Sequence, residues 1–455
     1  MRNTNILVLA LLLPILASSQ DGNPASLTRD PDKEKALLDG MTNRFKKDQS
    51  DINGENKKYI AQIYKERFES IKEHVTENEI ITDPAIVLYL SKLTGQIFQA
   101  NPQLQPADLR IVFSKAWWPN ASSMGEGTIL FNIGLFNRLQ NESQAVFVLC
   151  HELAHFYLDH GNKAIMRYVN AVYSDEFQKQ LKSIQKSDYR QNQQLESLAQ
   201  GLSFKSRRHS REFEQAADSM AIEFMKSTSF DLNESLRCLG LLDSVDKDKY
   251  PSNIELSHKF DFASFHFKKS WLESDALQFG AVKESAKELA EADSLKTHPD
   301  CKTRINMLRG AVKKYEKPGT KKFLVDESTF RLLQGRFDYE ILNYCFESGR
   351  ISRCLFYTLE MLNAYPDDMY LHAMVGKCLN EMYAKQKIHE LGKIVDLPSP
   401  EFDEEYNKLL RLIQNTRLSE IAALSYYFLQ QYETKDESSK LFSVEWTKSK
   451  ENFNN

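Results

Sequence analysis

Apolar residues recur at helical spacing along most of this chain. Between residues 57 and 102, Ile60, Ile63, Tyr64, Phe68 and Ile71 fall on one face of a 3.6-residue period and predict an amphipathic helix. The preceding residues 20–56 are polar, rich in Asp, Asn, Lys and Gly, and predict a loose leader entering that helix. Leu109 to Phe113 and Thr128 to Phe131 are short apolar runs of strand length. Between them, Trp117 to Gly127 carries the Pro, Asn, Ser and Gly of a loop. The strongest pattern follows. Ala145, Val146, Val148, Leu149, Leu153 and Ala154 make a helix apolar over much of its surface, with Asn141 as its cap, Gln144 at the capping-box position and Gly161 as its stop. Residues 164–208 are polar and predict a long exposed helical excursion, and another helix begins near Ser210. Residues 240–296 are irregular, with aromatics at Phe260, Phe262, Phe265, Phe267 and Trp271. From about 320 onward the pattern is one of helical hairpins. Pro366 and Pro400 stand 34 residues apart, a tetratricopeptide period, and Gly376 falls where such a repeat takes a small residue. The pattern as a whole predicts a mainly α (α+β) chain with a small sheet, followed by a helical repeat-like domain.

Composition narrows the class. The 455 residues are 42% hydrophobic and 27% charged, the balance of a folded globular chain of two to three domains. The net charge of −4 is spread along the sequence, and no basic block offers contacts to nucleic acid. The N-terminus stands apart. Arg2, the apolar run Ile6 to Ala17 and the small residues Ala17-Ser18-Ser19 have the three regions of a secretory signal, too short to span a bilayer comfortably. Cleavage is expected near Ser19-Gln20. The expected domains are a signal peptide at 1–19, a polar leader and helix at 20–80, a central domain at 81–315 and helices at 320–455. The cysteines, Cys150, Cys238, Cys301, Cys345, Cys354 and Cys378, match no disulfide framework or zinc knuckle; pairing within the last three stays open.

The chemistry centres on His151-Glu152-Leu153-Ala154-His155, inside the strong helix. Four residues are slightly more than one turn, so both imidazoles leave one face and can meet a metal ion at roughly 2.0–2.1 Å. Glu152, about 100° round the helix, can take a proton from water that the metal activates and pass it to a leaving amine. Such a short motif also arises by chance and needs a third ligand. Glu214, in Glu214-Gln215-Ala216-Ala217-Asp218 on the next helix, is the best candidate, since two His and one Glu leave zinc a position for water. Asp218 shares its face and can accept the free ring N–H of a ligand His, and Ala216 and Ala217 allow close helix approach. Taken alone, that pair would be an ordinary solvated acidic face. His298, before Pro299, lies on an extended or turn segment from which it could serve as an extra ligand, a plug or an oxyanion donor. Arg304 could hold a carboxylate or orient that loop. His160, five residues past His155, is turned off the ligand face and is expected to be structural or on the surface, as are His209, His258 and His266.

In their order, these motifs resemble the HtpX-like and CAAX-prenyl-endopeptidase-like zinc metallopeptidases, above all the exported BepA-like branch that joins the peptidase to tetratricopeptide repeats. The matching pieces are Asn120-Ala121 before Gly127 and a strand, Gly134-Leu135, His151 to His155 with His160, Ser210-Arg211 leading into Glu214 to Asp218, and Thr297-His298-Pro299 with Arg304. They cover roughly residues 85–310. The resemblance implies a gluzincin fold, peptide-bond hydrolysis and one zinc ion per chain on His151, His155 and Glu214. It implies an approach of His298 to the metal. It also implies that the strand before the motif helix adds an extended substrate to its edge, near Thr128–Asn132, with Asn120, Thr128 and Leu130 in contact. The stretches 164–208 and 240–296 exceed what a compact member needs and could form a lid or an extra helical layer. The expected role is proteolytic quality control of unfolded or misassembled envelope proteins, outer-membrane proteins among them, by an exported protein. Its place would be the periplasm, the periphery of the outer membrane or the exterior, with a protein partner on the C-terminal helices. The competing expectation is a chaperone-like scaffold whose zinc site is silent or plugged.

Overall fold

A computed structural model describes residues 27–104, 106–185, 198, 210–245, 254–273, 301–315, 319–400, 402–433 and 439–455. The expected signal segment, and His209 and His298, lie outside the described residues. The chain opens with α1 (Pro31–Asp51) and α2 (Lys57–Thr76), which pack on each other. The expected leader is therefore largely a helix. Asp30 caps it by accepting the N–H groups of Asp32 and Lys33, Pro31 takes its first position, and Leu37 and Met41 bury one stripe.

After α3 (Pro84–Ala100) comes a three-stranded sheet: β1 (Arg110–Ser114), β2 (Ala121–Ser123) and β3 (Thr128–Asn132). Their order is β1-β3-β2, with β1 parallel and β2 antiparallel to β3. Alternation along the strands splits the apolar residues between two faces. The pair Val112 and Leu130 joins Leu37, Met41, Ile71 and Val75 of α1 and α2. The next pair, Phe113 and Phe131, points the other way into the main core. β2 lies within the stretch expected to be a loop.

The helical turn α4 (Ile133–Phe136) leads to α5 (Glu142–Tyr157), the centre of that core. Every residue of α5 from Glu142 to Ala154 is buried, as its apolar character all round requires. The Asn141 side chain accepts the Gln144 N–H at 3.1 Å. The Gln144 side chain reaches back past Asn141 to the Gln140 N–H, so the expected capping box closes one residue earlier. α5 ends before Gly161, because Asp159 takes a left-handed conformation (φ 56°) and α6 (His160–Val172) starts a new axis. Next come α7 (Asp175–Gln185), α8 over residues 210–225 and α9 (Glu234–Val245). The short α10 (Leu256–Lys259) and α11 (Cys301–Val312) follow.

The C-terminal helices are α12 (Glu327–Glu347), α13 (Ile351–Ala364), α14 (Met369–Lys387), α15 (Glu404–Asn415), α16 (Leu418–Gln430) and α17 (Lys440–Asn454). α14 packs against α13, α16 and α17, and Gly376 lets it approach Leu429 of α16, whose Cδ1 a methyl group would meet at 2.5 Å. The two cores interlock. Phe330, Leu333 and Phe337, from the first half of α12, belong to the core around α5, whereas Leu342 and Cys345 belong to the C-terminal core. In return, Phe260, Phe262 and Trp271 are buried among the C-terminal helices, with Phe262 and Phe265 stacked on Tyr427. The described part of the aromatic stretch thus joins the C-terminal core. All six cysteines are buried, with no disulfide among them. Among the described residues, no helix is long and apolar enough to cross a membrane. The fold is mainly helical with one small sheet.

Candidate metal centre

His151 and His155 leave one face of α5, with their Nε2 atoms 3.1 Å apart. Glu214 of α8 meets both. Its Oε2 lies 3.4 Å from His151 Nε2 and its Oε1 3.3 Å from His155 Nε2. Three donors on one zinc ion, at 2.0–2.1 Å in a tetrahedron, stand about 3.3 Å from one another. Each histidine meets a different Glu214 oxygen, and one ligand atom from each of the three residues lies within 4.8 Å of the others, close enough to share a single ion. Among the described residues, this is the one group of His, Cys, Asp and Glu placed to hold a metal.

The other ring nitrogen of each histidine is also engaged. Asp218, one turn after Glu214, places Oδ1 3.0 Å from His151 Nδ1. Arg304 of α11 grips Asp218 through Nε and Nη2, both at 2.7 Å, and sets Nη1 3.4 Å from Glu214 Oε2. Without it, two buried carboxylates would repel each other. Burial would raise the Asp218 carboxyl, but Arg304 and His151 hold it below the ordinary carboxylate value. Burial would lower His151, but Asp218 and Glu214 push it up to about 10. That field favours positive charge at the centre, a proton or a metal ion. Ala217 is fully buried beside these groups, whereas Ala216 is exposed.

His160 departs from the expectation of a ring turned away from the site. Its Nδ1 lies 3.1 Å from Nδ1 of His155. A ring turned away requires one continuous helix through position 160, and the helix breaks at Asp159. The signal was present in Asp159-His160-Gly161, because Asp tolerates the left-handed conformation and Gly favours a helix end.

Glu152 is buried, and its Oε2 accepts the Ser123 N–H at 2.7 Å. The register explains why that donor is available. Asn132 N–H bonds to Asn120 O and Met124 N–H to Thr128 O, so alternate residues of β2 face β3. Ala121 and Ser123 therefore turn their backbone groups outward. A narrow cavity of ≈30 Å³ lies here, lined by Asn120, Ala121, His151, Glu152, Leu242 and Arg304 among others. β3 itself is the central strand, paired on both edges, and cannot add a substrate at Thr128–Asn132. Thr128 is buried and receives the Arg110 Nε–H at 3.1 Å, and Leu130 packs against α1 and α2. The strand whose edge faces the centre is β2. Of the three residues expected to touch substrate, only Asn120 lines the cavity.

Residues 96–312 match Peptidase family M48. The M48 match contains all the residues that meet at the centre, from Asn120 to Arg304. It implies metal-dependent proteolysis, and the architecture fits a gluzincin-type M48 domain followed by helices. A search of curated proteins finds no match to the chain.

Proposed function

We propose that the chain is a zinc-dependent endopeptidase that cleaves extended polypeptides. The observation that carries this is the convergence of one ligand atom each from His151, His155 and Glu214 within 4.8 Å of one another, with a buried glutamate beside them tied to the edge of β2. A zinc ion held by His151, His155 and Glu214 supplies the Lewis acidity that makes water nucleophilic near neutral pH. Glu152 takes a proton from the attacking water and later delivers it to the leaving amine. The Ser123 N–H fixes the orientation of that carboxylate. Asp218, backed by Arg304, keeps the His151 proton on Nδ1 and its Nε2 directed at the centre. An extended chain can lie along the outer edge of β2, where Ala121 presents its N–H and C=O.

Export and quality control of envelope proteins, including outer-membrane proteins, remain proposals supported by the N-terminal segment and the family resemblance. The C-terminal hairpins, close-packed at Gly376, are the proposed surface for a protein partner. His298 is proposed to approach the metal. It lies three residues before Cys301, where α11, the helix carrying Arg304, begins.

Casein cleavage by purified protein, with zinc content measured alongside, tests the assignment. A chelator should abolish cleavage and zinc restore it. Glu152→Gln should lower the rate about 10²–10⁴-fold while retaining zinc. Equal cleavage by the native protein and Glu152→Gln would remove Glu152 from its role and leave the scaffold alternative standing.

A further inference from the structure

We infer that His160 is a positioning residue for the metal ligand His155 and that, through Phe213, it braces the helix that delivers Glu214. The inference deepens the metallopeptidase reading and rests on it.

His155 directs Nε2 towards His151 and Glu214, and its Nδ1 stands 3.1 Å from His160 Nδ1. A ligand that binds through Nε2 carries its proton on Nδ1. That Nδ1–H then donates to Nδ1 of His160, which must be the neutral tautomer protonated on Nε2. The two ligand histidines are thus oriented by different chemistry, His151 by an anion and His155 by a neutral imidazole. The difference matters electrostatically. Glu152, Glu214 and Asp218 already place three carboxylates at the centre against one guanidinium. A fourth carboxylate behind His155 would cancel more of the ion's charge and weaken its pull on a substrate carbonyl. A neutral acceptor fixes the ring without adding negative charge.

Packing shows that His160 is held for this task. Its buried ring stacks on Phe213 with centroids 4.2 Å apart and planes 15° from parallel. On the same ring, the Arg167 guanidinium lies 4.6 Å from the centroid. His160 and Arg167 are seven residues apart on α6, two turns along one face. Together they grip α8 at the residue immediately before Glu214. The start of α6 is also seated against the turn between β2 and β3, where a methyl group on Gly161 would come within 2.9 Å of Gly125 Cα. One residue therefore links the helix of the histidines to the helix of the glutamate.

Two variants and one spectrum test this. His160→Leu fills the volume and removes the acceptor, while His160→Asn restores an acceptor near the Nδ1 position. Zinc Kd is measured for each by chelator competition, with the thermal midpoint of the metal-free proteins as a control. His160→Leu should weaken zinc binding about 10–100-fold, and His160→Asn should recover most of the loss. A ¹⁵N spectrum of the zinc-loaded native protein should show His155 protonated at Nδ1 and His160 unprotonated there. Native zinc affinity in His160→Leu, or a protonated Nδ1 on His160, would overturn the inference and leave the metallopeptidase assignment intact. Should His160→Leu fail to fold, the native spectrum decides alone. A native protein that binds no zinc would remove both.

Discussion

Glu142 is the first residue of α5, fully buried, and not a metal ligand. Its carboxylate accepts the N–H groups of Leu324, Val325 and Asp326 at 2.7, 2.8 and 2.9 Å and the Tyr89 hydroxyl at 2.9 Å. It also stands at the positive end of the helix dipole. One side chain therefore pins the chain entering α12 to the start of the motif helix. Glu142→Ala would strand three backbone donors away from their acceptor, at about 1–3 kcal/mol for each one that water fails to reach. The expected loss is about 2–4 kcal/mol, read from the urea midpoint, with His151, His155 and Glu214 untouched. Nothing near Glu142 in the sequence announces this, because its backbone partners lie 182 to 184 residues away. His151, Glu152 and His155 differ, since their relation is contained in one turn of helix. Glu214 and Asp218 are intermediate: their shared face is local, but their meeting with the histidines is not.

Among the elements, β2 matters most to the site and was least visible. Ala121-Ser122-Ser123 has no alternation of apolar and polar residues, and a strand this short forms only because β3 supplies the partner backbone. α1 was missed for a related reason, since its polar surface hides a stripe that only α2 and the sheet turn into core. α4 controls where β2 begins. Gly134 N–H bonds to Ala116 O, and a methyl group on its Cα would collide with the Trp117 carbonyl. Trp117 to Asn120 is the segment that enters β2. Gly134→Ala should therefore cost about 3 kcal/mol, the upper end of ordinary overpacking. It should also depress casein cleavage more than zinc content, because the ligands stand on other helices. Thermal midpoint, metal content and cleavage rate together check this. Unchanged cleavage would remove α4 from the placement of the β2 edge.

At the scale of the molecule, the expected boundary between catalytic and helical domains is an interlocked seam. α12 contributes to both cores, and residues 254–273 return to the C-terminal one. A cavity of ≈230 Å³ lies at this seam, lined by Trp117, Asn137, Asp338 and Tyr357 among others. Burial pushes the Asp338 carboxyl up to about 6, against the opposing hydrogen bond from Asn137 at 2.7 Å. An unfolded Asp titrates near about 3.9. The folded value is the higher one, so the stability contributed by the protonated form is present below about pH 4 and lost as pH rises through about 6. Asp338→Asn should therefore stabilise the protein at pH 7.5 by about 1–2 kcal/mol, allowing for partial solvent contact, and have little effect at pH 4. Urea titrations at the two pH values measure the difference. An equal effect at both would place its cause outside the ionisation of Asp338.

The local chemistry of the centre is written in helix periodicity. The period of α5 places two imidazoles on one face and a carboxylate beside them, and the Glu214–Asp218 spacing repeats that logic on α8. Both follow from the fixed rise and twist of a helix. Which groups complete the centre depends on how the elements pack. Asp218 meets His151 because Arg304 neutralises it, and Glu152 is tied down because register turns Ser123 outward. His160 reaches His155 because the backbone breaks at Asp159. Each depends on the path of the chain between elements, and helix periodicity carries no information about that path.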